Sequence, residues 1–112
     1  MELEKITLSN RNYRKVLYTG KLQLVLMSLK PGQEIGLETH RKTDQFIRVE
    51  KGLARVTRDS KEYRLKSGDA IVIPAGSKHN VTNRSITREL KLYTIYTPPE
   101  HSPETVQRLK RD

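Results

Sequence analysis

Regular spacing of turn residues and polar side chains between Gly32 and Gly52 constrains the fold more than any other feature of the chain. Glu38 follows Gly32 after five residues, and His40 is two positions further along. Gln45 follows His40 after four residues, and six more residues lead to Gly52. Glycine adopts the positive φ angles of tight turns without steric cost. We therefore expect strands that carry ligand-type side chains between turns.

A second segment, from Gly68 to Asn83, has a related arrangement. Pro74 follows Gly68 after five residues, Gly76 comes two positions later, and His79 comes three positions after Gly76. Asn83 is four positions beyond His79. The proline and the second glycine mark a turn, and the polar side chains fall on the strand that follows it. Together the two segments suggest a small β-barrel that holds a polar site inside.

The alternation of side chains along a strand decides which of these residues share a face. Glu38 and His40 are two positions apart, so they point the same way. If the faces that carry this pair, Gln45 and His79 point inward, four ligand-type side chains converge among aliphatic residues. Isolated buried polar groups are costly, so a convergent set implies a metal, a water or a ligand.

Short β-favouring runs alternate with turn signals from Tyr13 onward, which is typical of all-β proteins. No helical period of useful length occurs before residue 100, so the pattern favours a sandwich or a barrel. We predict nine strands, at Arg14–Thr19, Leu22–Leu29, Glu34–Glu38, Gln45–Val49, Leu53–Thr57, Tyr63–Leu65, Ala70–Ile73, His79–Asn83 and Leu90–Tyr96.

The two ends of the chain and its most apolar run have separate predictions. Residues 1–12 are weakly patterned and are predicted as an edge strand followed by a turn. Leu22–Leu29 is apolar on both faces, so we expect the core on one side and a second sheet or a subunit on the other. The polar tail, residues 100–112, is predicted as a loose end or as a short outer helix from Pro103 to Lys110.

Length and composition limit the class of protein. A chain of 112 residues without a composition break predicts one domain, residues 1–112. Its core is small, so a homodimer would cover more apolar surface. No cysteine is present, so disulfides and thiolate ligands are excluded and any metal must bind nitrogen or oxygen. The charged first residues do not resemble a signal peptide, and no run approaches the ~20 apolar residues of a membrane helix. We expect a cytoplasmic protein.

The charge of the chain indicates an anionic partner. Twenty-two Lys and Arg residues against thirteen Asp and Glu residues give a net charge of +9. Such a balance is compatible with a phosphorylated or carboxylated small molecule, a nucleic acid or another polyanion. The basic residues are dispersed and lack the interleaved aromatic residues of a base-stacking surface. A solvated basic surface is therefore favoured over nucleic-acid binding.

The two segments resemble the two motifs of the cupin superfamily in the spacing of their glycines, prolines and polar residues. The second motif is matched at every position from Gly68 to Asn83. In the first motif His40 matches the second histidine, whereas Glu38 stands at the first histidine position and Gln45 at the glutamate position. The resemblance covers residues 32–83 and the flanking strands. It implies a jelly-roll β-barrel. The runs Thr43–Gly52 and Leu92–His101 also resemble small single-domain bacterial cupins, which are often labelled mannose-6-phosphate-isomerase-like.

Carried over by position, the resemblance implies one divalent metal ion bound by Glu38, His40, Gln45 and His79. Two histidines and one carboxylate suit Fe(II) and also Mn, Zn or Ni, and such sets leave open positions for a substrate. Two alternatives stay open. Gln45 could bind the substrate instead of the metal, or metal binding could be lost, with Glu38 and Gln45 hydrogen-bonded to the histidines.

The resemblance also implies a metal-dependent enzyme, an isomerase or an oxygenase, that acts on a small polar or anionic molecule such as a sugar phosphate. Beside Glu38, three residues near the last strand are candidate catalytic groups: Tyr93, Tyr96 and His101. One tyrosine is expected to line the pocket, and His101 is expected mainly as an exposed tail residue. Arg41 and Gln45 are candidate substrate-binding residues. The alternatives are a non-catalytic ligand-binding or sensing module and a polyanion-binding or nucleic-acid-binding protein.

Overall fold

The computed structural model describes residues 1–110, which form one helix and ten strands in two antiparallel sheets. One sheet has the strand order β10-β1-β2-β9-β4-β7, and the other has the order β3-β8-β5-β6. This architecture confirms the predicted all-β jelly-roll barrel. The elements are α1 (Leu3–Ser9), β1 (Arg14–Thr19), β2 (Gln23–Leu29), β3 (Glu38–Thr39), β4 (Asp44–Lys51), β5 (Leu53–Arg58), β6 (Lys61–Lys66), β7 (Ala70–Ile73), β8 (Lys78–Asn83), β9 (Leu90–Thr97) and β10 (Val106–Gln107).

The inner face of the six-stranded sheet is polar at one end and apolar at the other. Gln23, Tyr96 and Gln45 lie side by side on β2, β9 and β4. Four residues further along β2 and β9, Met27 lies beside Leu92, and both are buried in the core. Each fully buried aliphatic side chain stabilises the fold by about 1.5–3 kcal/mol. The apolar end therefore holds the barrel closed, while the polar end is available for a site.

Most predicted strands form where the sequence predicts them. Strands β1 and β7 have the predicted bounds, and β8 begins one residue before the predicted start at His79. The predicted strand Glu34–Glu38 is wrong, because Gly36 with its φ of +114° interrupts it. Glu34 forms only an isolated bridge with Thr82, and regular pairing resumes at Glu38.

The predicted N-terminal edge strand is also wrong, since residues 3–9 form α1. Leu3, Ile6, Thr7 and Asn10 occupy the positions i, i+3, i+4 and i+7 that define one face of a helix, and these side chains are partly or fully buried. Two of the four are polar, so the apolar signal of this face is weak. Helix α1 packs on β9 and β4.

Strand β2 is buried along its whole length, from Gln23 to Leu29. Its outward Leu26 is 1% exposed and lines an open depression of the surface together with Ile6 of α1. The expectation that a second sheet or a subunit covers the outer side of this run is therefore corrected in part. Helix α1 of the same chain provides cover at this point.

The predicted C-terminal helix, Pro103 to Lys110, does not form. Residues 106–107 form β10, which pairs with the start of β1. The amides of Val16 and Tyr13 extend this pairing by donating to the carbonyls of Thr105 and Arg108. Pairing with an open sheet edge satisfies backbone groups that an isolated polar helix would leave to water. Residues 111 and 112 of the predicted tail lie outside the described residues.

Helix α1, the helix formed by residues 1–110, is seven residues long. This part of the chain has no helix that is long and apolar enough to cross a membrane.

Candidate metal centre

Three candidate ligands come together at the polar end of the barrel. Strand β3 pairs with β8 so that Glu38 lies opposite His79, and His40 follows β3 directly. One ligand atom from each of Glu38, His40 and His79 lies within 4.8 Å of the other two. Divalent ions bind nitrogen and oxygen at about 2.0–2.2 Å, so donors on opposite sides of one ion are about 4 Å apart. Small side-chain adjustments would let the three atoms share one ion.

Both histidines present a free ring nitrogen to this cluster. The Nδ1 atom of His79 lies 3.0 Å from the carbonyl oxygen of Ser77, and the Nδ1 atom of His40 lies 3.2 Å from Oε1 of Glu100. Both Nε2 atoms are buried and have no hydrogen-bond partner among residues 1–110. Metal-binding histidines typically donate their second ring N–H to a carbonyl or a carboxylate, which leaves the other nitrogen as a ligand. The two rings have this arrangement.

The third ligand-type side chain, Glu38, is the most accessible member of the cluster. Its side chain is 32% exposed, compared with 9% for His40. The carboxylate Oε1 of Glu38 lies 3.7 Å from Nε2 of His40, which is too long for a hydrogen bond. The cluster therefore opens to solvent on the Glu38 side, which gives a small molecule or an ion a route to it.

Gln45 is oriented with its carboxamide oxygen free. Its Nε2 atom donates to Oγ1 of Thr94 at 3.0 Å and to the hydroxyl of Tyr96 at 3.2 Å. Its Oε1 atom is buried and has no hydrogen-bond partner in the described part of the chain. A carbonyl-type oxygen that is buried without a partner suits a metal ion or a ligand donor. Both interpretations of Gln45, as metal ligand and as substrate-binding residue, remain compatible with this geometry.

Glu100 is a site residue that sequence reasoning missed. Its side chain contacts His40, although the two residues are sixty positions apart in the chain. Gln23 holds this part of the tail, because its Oε1 accepts from the amides of Glu100 and His101 at 3.1 and 2.9 Å. The Nε2 atom of Gln23 donates to the carbonyl of His101 at 2.7 Å. The signal in the sequence is Gln23 itself, because a glutamine at the start of the aliphatic strand β2 needs a polar partner such as the tail.

The structure places the two candidate tyrosines on opposite faces of β9. Tyr96 is 1% exposed inside the barrel, whereas Tyr93 lies outside with its ring 6.3 Å from that of Phe46. Burial, assisted by the negative charge of Glu38, raises the pKa of Tyr96 well above its usual range. The Tyr96 hydroxyl therefore stays protonated and can donate a hydrogen bond within the site.

His101 is not the exposed tail residue that the sequence favours. Its ring packs edge-on against Tyr96 at 5.1 Å, and its Nε2 atom is buried without a partner among residues 1–110. Burial first, and the positive charge of Arg14 next, lower the pKa of His101 from 6.5 to about 4. His101 is therefore neutral at pH 7. By contrast, Arg41 lies exposed in the turn that follows His40.

The low pKa of His101 predicts an acid-sensitive fold. In the unfolded chain the His101 imidazole has its ordinary pKa of 6.5, whereas in the folded chain its pKa is about 4. Between these values the unfolded state binds more protons, so the free energy of unfolding falls as the pH drops from 6.5 to 4. We expect metal-free protein to lose about 1–2 kcal/mol of unfolding free energy from this group, after screening by solvent. Urea unfolding at pH 7 and pH 4 measures the loss. Between pH 7 and pH 4, the His101→Gln variant should lose about 1–2 kcal/mol less unfolding free energy than the parent protein. An equal loss in the two proteins would contradict the prediction.

Comparison with known proteins identifies the family. The chain matches the cupin domain family over residues 25–96 and belongs to it. It is 43% identical to a protein of Bacillus halodurans of known structure, with a TM-score of 0.93 over 96% of this chain and 86% of that one. An uncharacterized protein of Acanthamoeba polyphaga mimivirus is 50% identical over 87% of this chain. The matched region covers 63% of the viral protein. Quercetin 2,3-dioxygenase of Bacillus subtilis is 37% identical over 69% of this chain and 23% of the enzyme.

Proposed function

We propose that this cupin binds one divalent metal ion through Glu38, His40 and His79, with Gln45 as a fourth donor. The observation that carries the proposal is the set of buried donor atoms that have no partner among residues 1–110. The Nδ1 atom of each histidine lies beside an oxygen atom, of Ser77 or of Glu100, so the Nε2 atoms are the ones that could bind a metal ion. A lone pair buried without a partner costs about 1–3 kcal/mol, which a bound ion would offset.

The residues fit a metal of the Fe, Mn, Zn or Ni class. Nitrogen and carboxylate donors suit these ions, and the absence of cysteine removes the thiolate sites that would favour softer metals. When bound, such an ion would bind a substrate oxygen directly and polarise it. Around the ion, Glu100 would fix the ring of His40, and the neutral Tyr96 hydroxyl would donate a hydrogen bond to the ligand.

The activity that this arrangement supports best is that of a metal-dependent enzyme of the oxygenase type. Two histidines and one carboxylate are typical of such centres, and the chain is similar over 69% of its length to quercetin 2,3-dioxygenase. An isomerase acting on a sugar phosphate, the other class that the sequence predicts, needs a base beside the metal. Glu38 would then have to act as ligand and base at once, so we place the isomerase second.

Metal content tests the proposal. Protein purified without a chelator or a histidine tag should contain nearly one metal ion per chain, and the Glu38→Ala/His40→Ala double variant should contain almost none. Iron would direct assays to oxygen consumption, whereas manganese or zinc would direct them to isomerisation. A parent protein that contains no metal and does not bind added Fe, Mn, Ni or Zn would contradict the proposal. The non-catalytic ligand-binding module would then be the better interpretation.

Two further predictions of the sequence concern partners. The homodimer is predicted through Leu22–Leu29 and the outward face of Phe46 and Arg48. On this outer face, four apolar side chains lie side by side across four strands: Leu24, Ile95, Phe46 and Val72. Val72 is 51% exposed, so this face retains apolar surface that a second copy could cover. Binding of nucleic acid or another polyanion through the dispersed basic residues stays the less favoured prediction.

A further inference from the structure

A recess on the outer side of the six-stranded sheet lies away from the candidate metal centre. Ser28 lines this recess, and it is five residues beyond Gln23 on β2, which is about 16 Å along a strand. Side chains alternate along a strand, so Ser28 points outward like Leu26, whereas Gln23 points into the barrel. The recess is therefore a site separate from the proposed metal centre.

The size of the recess fits one small anion. Tyr13 and Ser28 form its inner wall, since they line it and are only 5% and 7% exposed. Its volume is about 60 Å³, and one water molecule needs about 10–15 Å³ of such space. The recess therefore has room for about five waters, or for the heavy atoms of one phosphate group.

The charged side chains around the recess are mostly basic. One carboxylate, that of Glu89, lies among them, but its Oε1 atom is 3.6 Å from Nζ of Lys91 and so already faces a cation. Nζ of Lys110 donates to the carbonyl of Glu34 at 2.6 Å, which holds that ammonium in place. The charged residues that line the recess are Arg11, Lys30, Glu89, Arg108 and Lys110.

Two arginines from opposite ends of the chain meet at this recess. The amide of Tyr13 donates to the carbonyl of Arg108 at 3.2 Å, which brings Arg108 beside Arg11. Both arginines also line an adjoining open cleft of about 400 Å³. The ion pairs and side-chain hydrogen bonds within residues 1–110 do not involve the side chains of Arg11, Lys30 or Arg108. Neighbouring cations repel each other, so an anion between them is stabilising.

A buried ammonium group strengthens the polar wall of the recess. Lys91 is 6% exposed, and its Nζ atom donates to Oγ of Ser28 at 2.9 Å and to the carbonyl of Asn10 at 2.6 Å. Oγ of Ser28 takes part in no other hydrogen bond within residues 1–110, so its own hydrogen is left to donate. A hydroxyl that accepts from a cation is polarised and becomes a better donor to an anion.

We propose that this recess binds a phosphate group, held between the guanidinium groups of Arg11 and Arg108 and by the hydroxyl of Ser28. Arginine presents a planar pair of N–H donors that matches two phosphate oxygens. The phosphate is either a free ion or the end of a phosphate monoester. The adjoining cleft has room for the organic part of a monoester beside Leu109, which is 54% exposed.

The charge of the recess favours a phosphate group over a carboxylate. Arg11, Lys30 and Arg108 bring three positive charges, and the one carboxylate of the lining already faces Lys91. A phosphate monoester carries about 1.5–2 negative charges at neutral pH and has three acceptor oxygens. A carboxylate carries one charge and two oxygens, so it would leave more of the positive charge uncompensated.

Calorimetric titration with inorganic phosphate tests the inference, in the Glu38→Ala/His40→Ala background so that a metal ion does not contribute. At about 0.15 M KCl, which screens diffuse attraction, this protein should bind one phosphate per chain and bind acetate much more weakly. Adding Arg11→Gln or Arg108→Gln should weaken phosphate binding about tenfold, because a charge-assisted contact is lost. Arg108→Lys should restore binding only in part, since lysine lacks the planar pair of donors.

A matched control variant separates a specific site from the general charge of the protein. Arg55 is an exposed arginine on β5 of the other sheet, and Arg55→Gln should leave phosphate affinity unchanged. Equal affinity in Arg11→Gln, Arg108→Gln and Arg55→Gln would overturn the inference, because the net charge alone would then explain binding. Acetate binding as tight as phosphate binding would overturn the phosphate class.

Phenyl phosphate distinguishes the two sources of the phosphate group. Binding of phenyl phosphate that is at least as tight as that of inorganic phosphate, and that weakens in Arg108→Gln, would identify a monoester site. Weaker binding of phenyl phosphate would identify a site for the free ion. Binding of phenyl phosphate that is unchanged in both arginine variants would show that the phosphate group is not what the recess recognises, and would overturn the inference.

Discussion

Replacement of His79 by alanine is expected to lower the affinity for a divalent metal by about a hundredfold or more, while the barrel still folds. In the proposed site His79 supplies one of two imidazole donors, and loss even of a residue that only orients a ligand costs about 10–100-fold in metal affinity. The side chain is 2% exposed, so the variant also loses packing at the start of β8. Competition with a zinc-binding dye measures the affinity, and circular dichroism checks the fold.

His101 provides a matched control, because the chain has three histidines and all three lie at the polar end of the barrel. The His101→Ala variant should keep metal affinity within a few fold, because His101 is not among the three residues whose ligand atoms cluster. Comparable losses in the His79 and His101 variants would show that the ligand set has been assigned wrongly. Unchanged affinity in His79→Ala would contradict the metal site as a whole.

Replacement of Gln23 by leucine is expected to destabilise the protein by about 3 kcal/mol and to weaken metal binding about tenfold. Gln23 is fully buried, and its amide bonds to Thr19 and to the backbone of Glu100 and His101. Leucine has a similar size but offers no hydrogen bond, and each buried polar group left without a partner costs about 1–3 kcal/mol. Release of Glu100 would also free the ring of His40. Urea unfolding of metal-free protein measures the first effect.

The same substitution at Gln33 provides the control. Its Oε1 atom accepts one hydrogen bond, from the amide of Lys30, at an exposed position. Gln33→Leu should cost less than about 1 kcal/mol and leave metal affinity unchanged, because water can replace an exposed hydrogen bond. A loss of stability in Gln23→Leu no larger than in Gln33→Leu would show that Gln23 does not anchor the tail. If the Gln23→Leu protein is unstable but keeps full metal affinity, the tail held by Gln23 does not orient His40 for metal binding.

Local signals were sufficient for three of the strands of the two motifs. Glycines and prolines mark their turns, and the alternation of side chains assigns their faces, so β4, β7 and β8 lie where the sequence predicts them. Asn83, the last residue of the second motif, donates to the carbonyls of Leu29, Lys30 and Arg88 from a buried position. Glu38, His40 and His79, three of the four side chains expected to converge, lie together as a cluster, because adjacent strands and a short turn bring them together.

Other features depended on contacts between distant parts of the chain. Helix α1 was missed because Thr7 and Asn10 on its buried face are polar, and only packing against the sheet reveals that face. The C-terminal segment has no strong preference of its own, and the open edge of β1 makes it a strand rather than a helix. Marginal segments of this kind take the structure that their neighbours allow.

The sequence by itself determined the barrel and three residues that cluster at its polar end: Glu38, His40 and His79. Turn spacing and side-chain alternation act over a few residues, so both can be predicted from the sequence. The tertiary structure decided which tyrosine of β9 points inward, since that depends on the register with β2 and β4. It also decided that Glu100 reaches His40. Glu100 lies outside the two motifs, and no local pattern encodes a contact made by a tail folded back over the sheet.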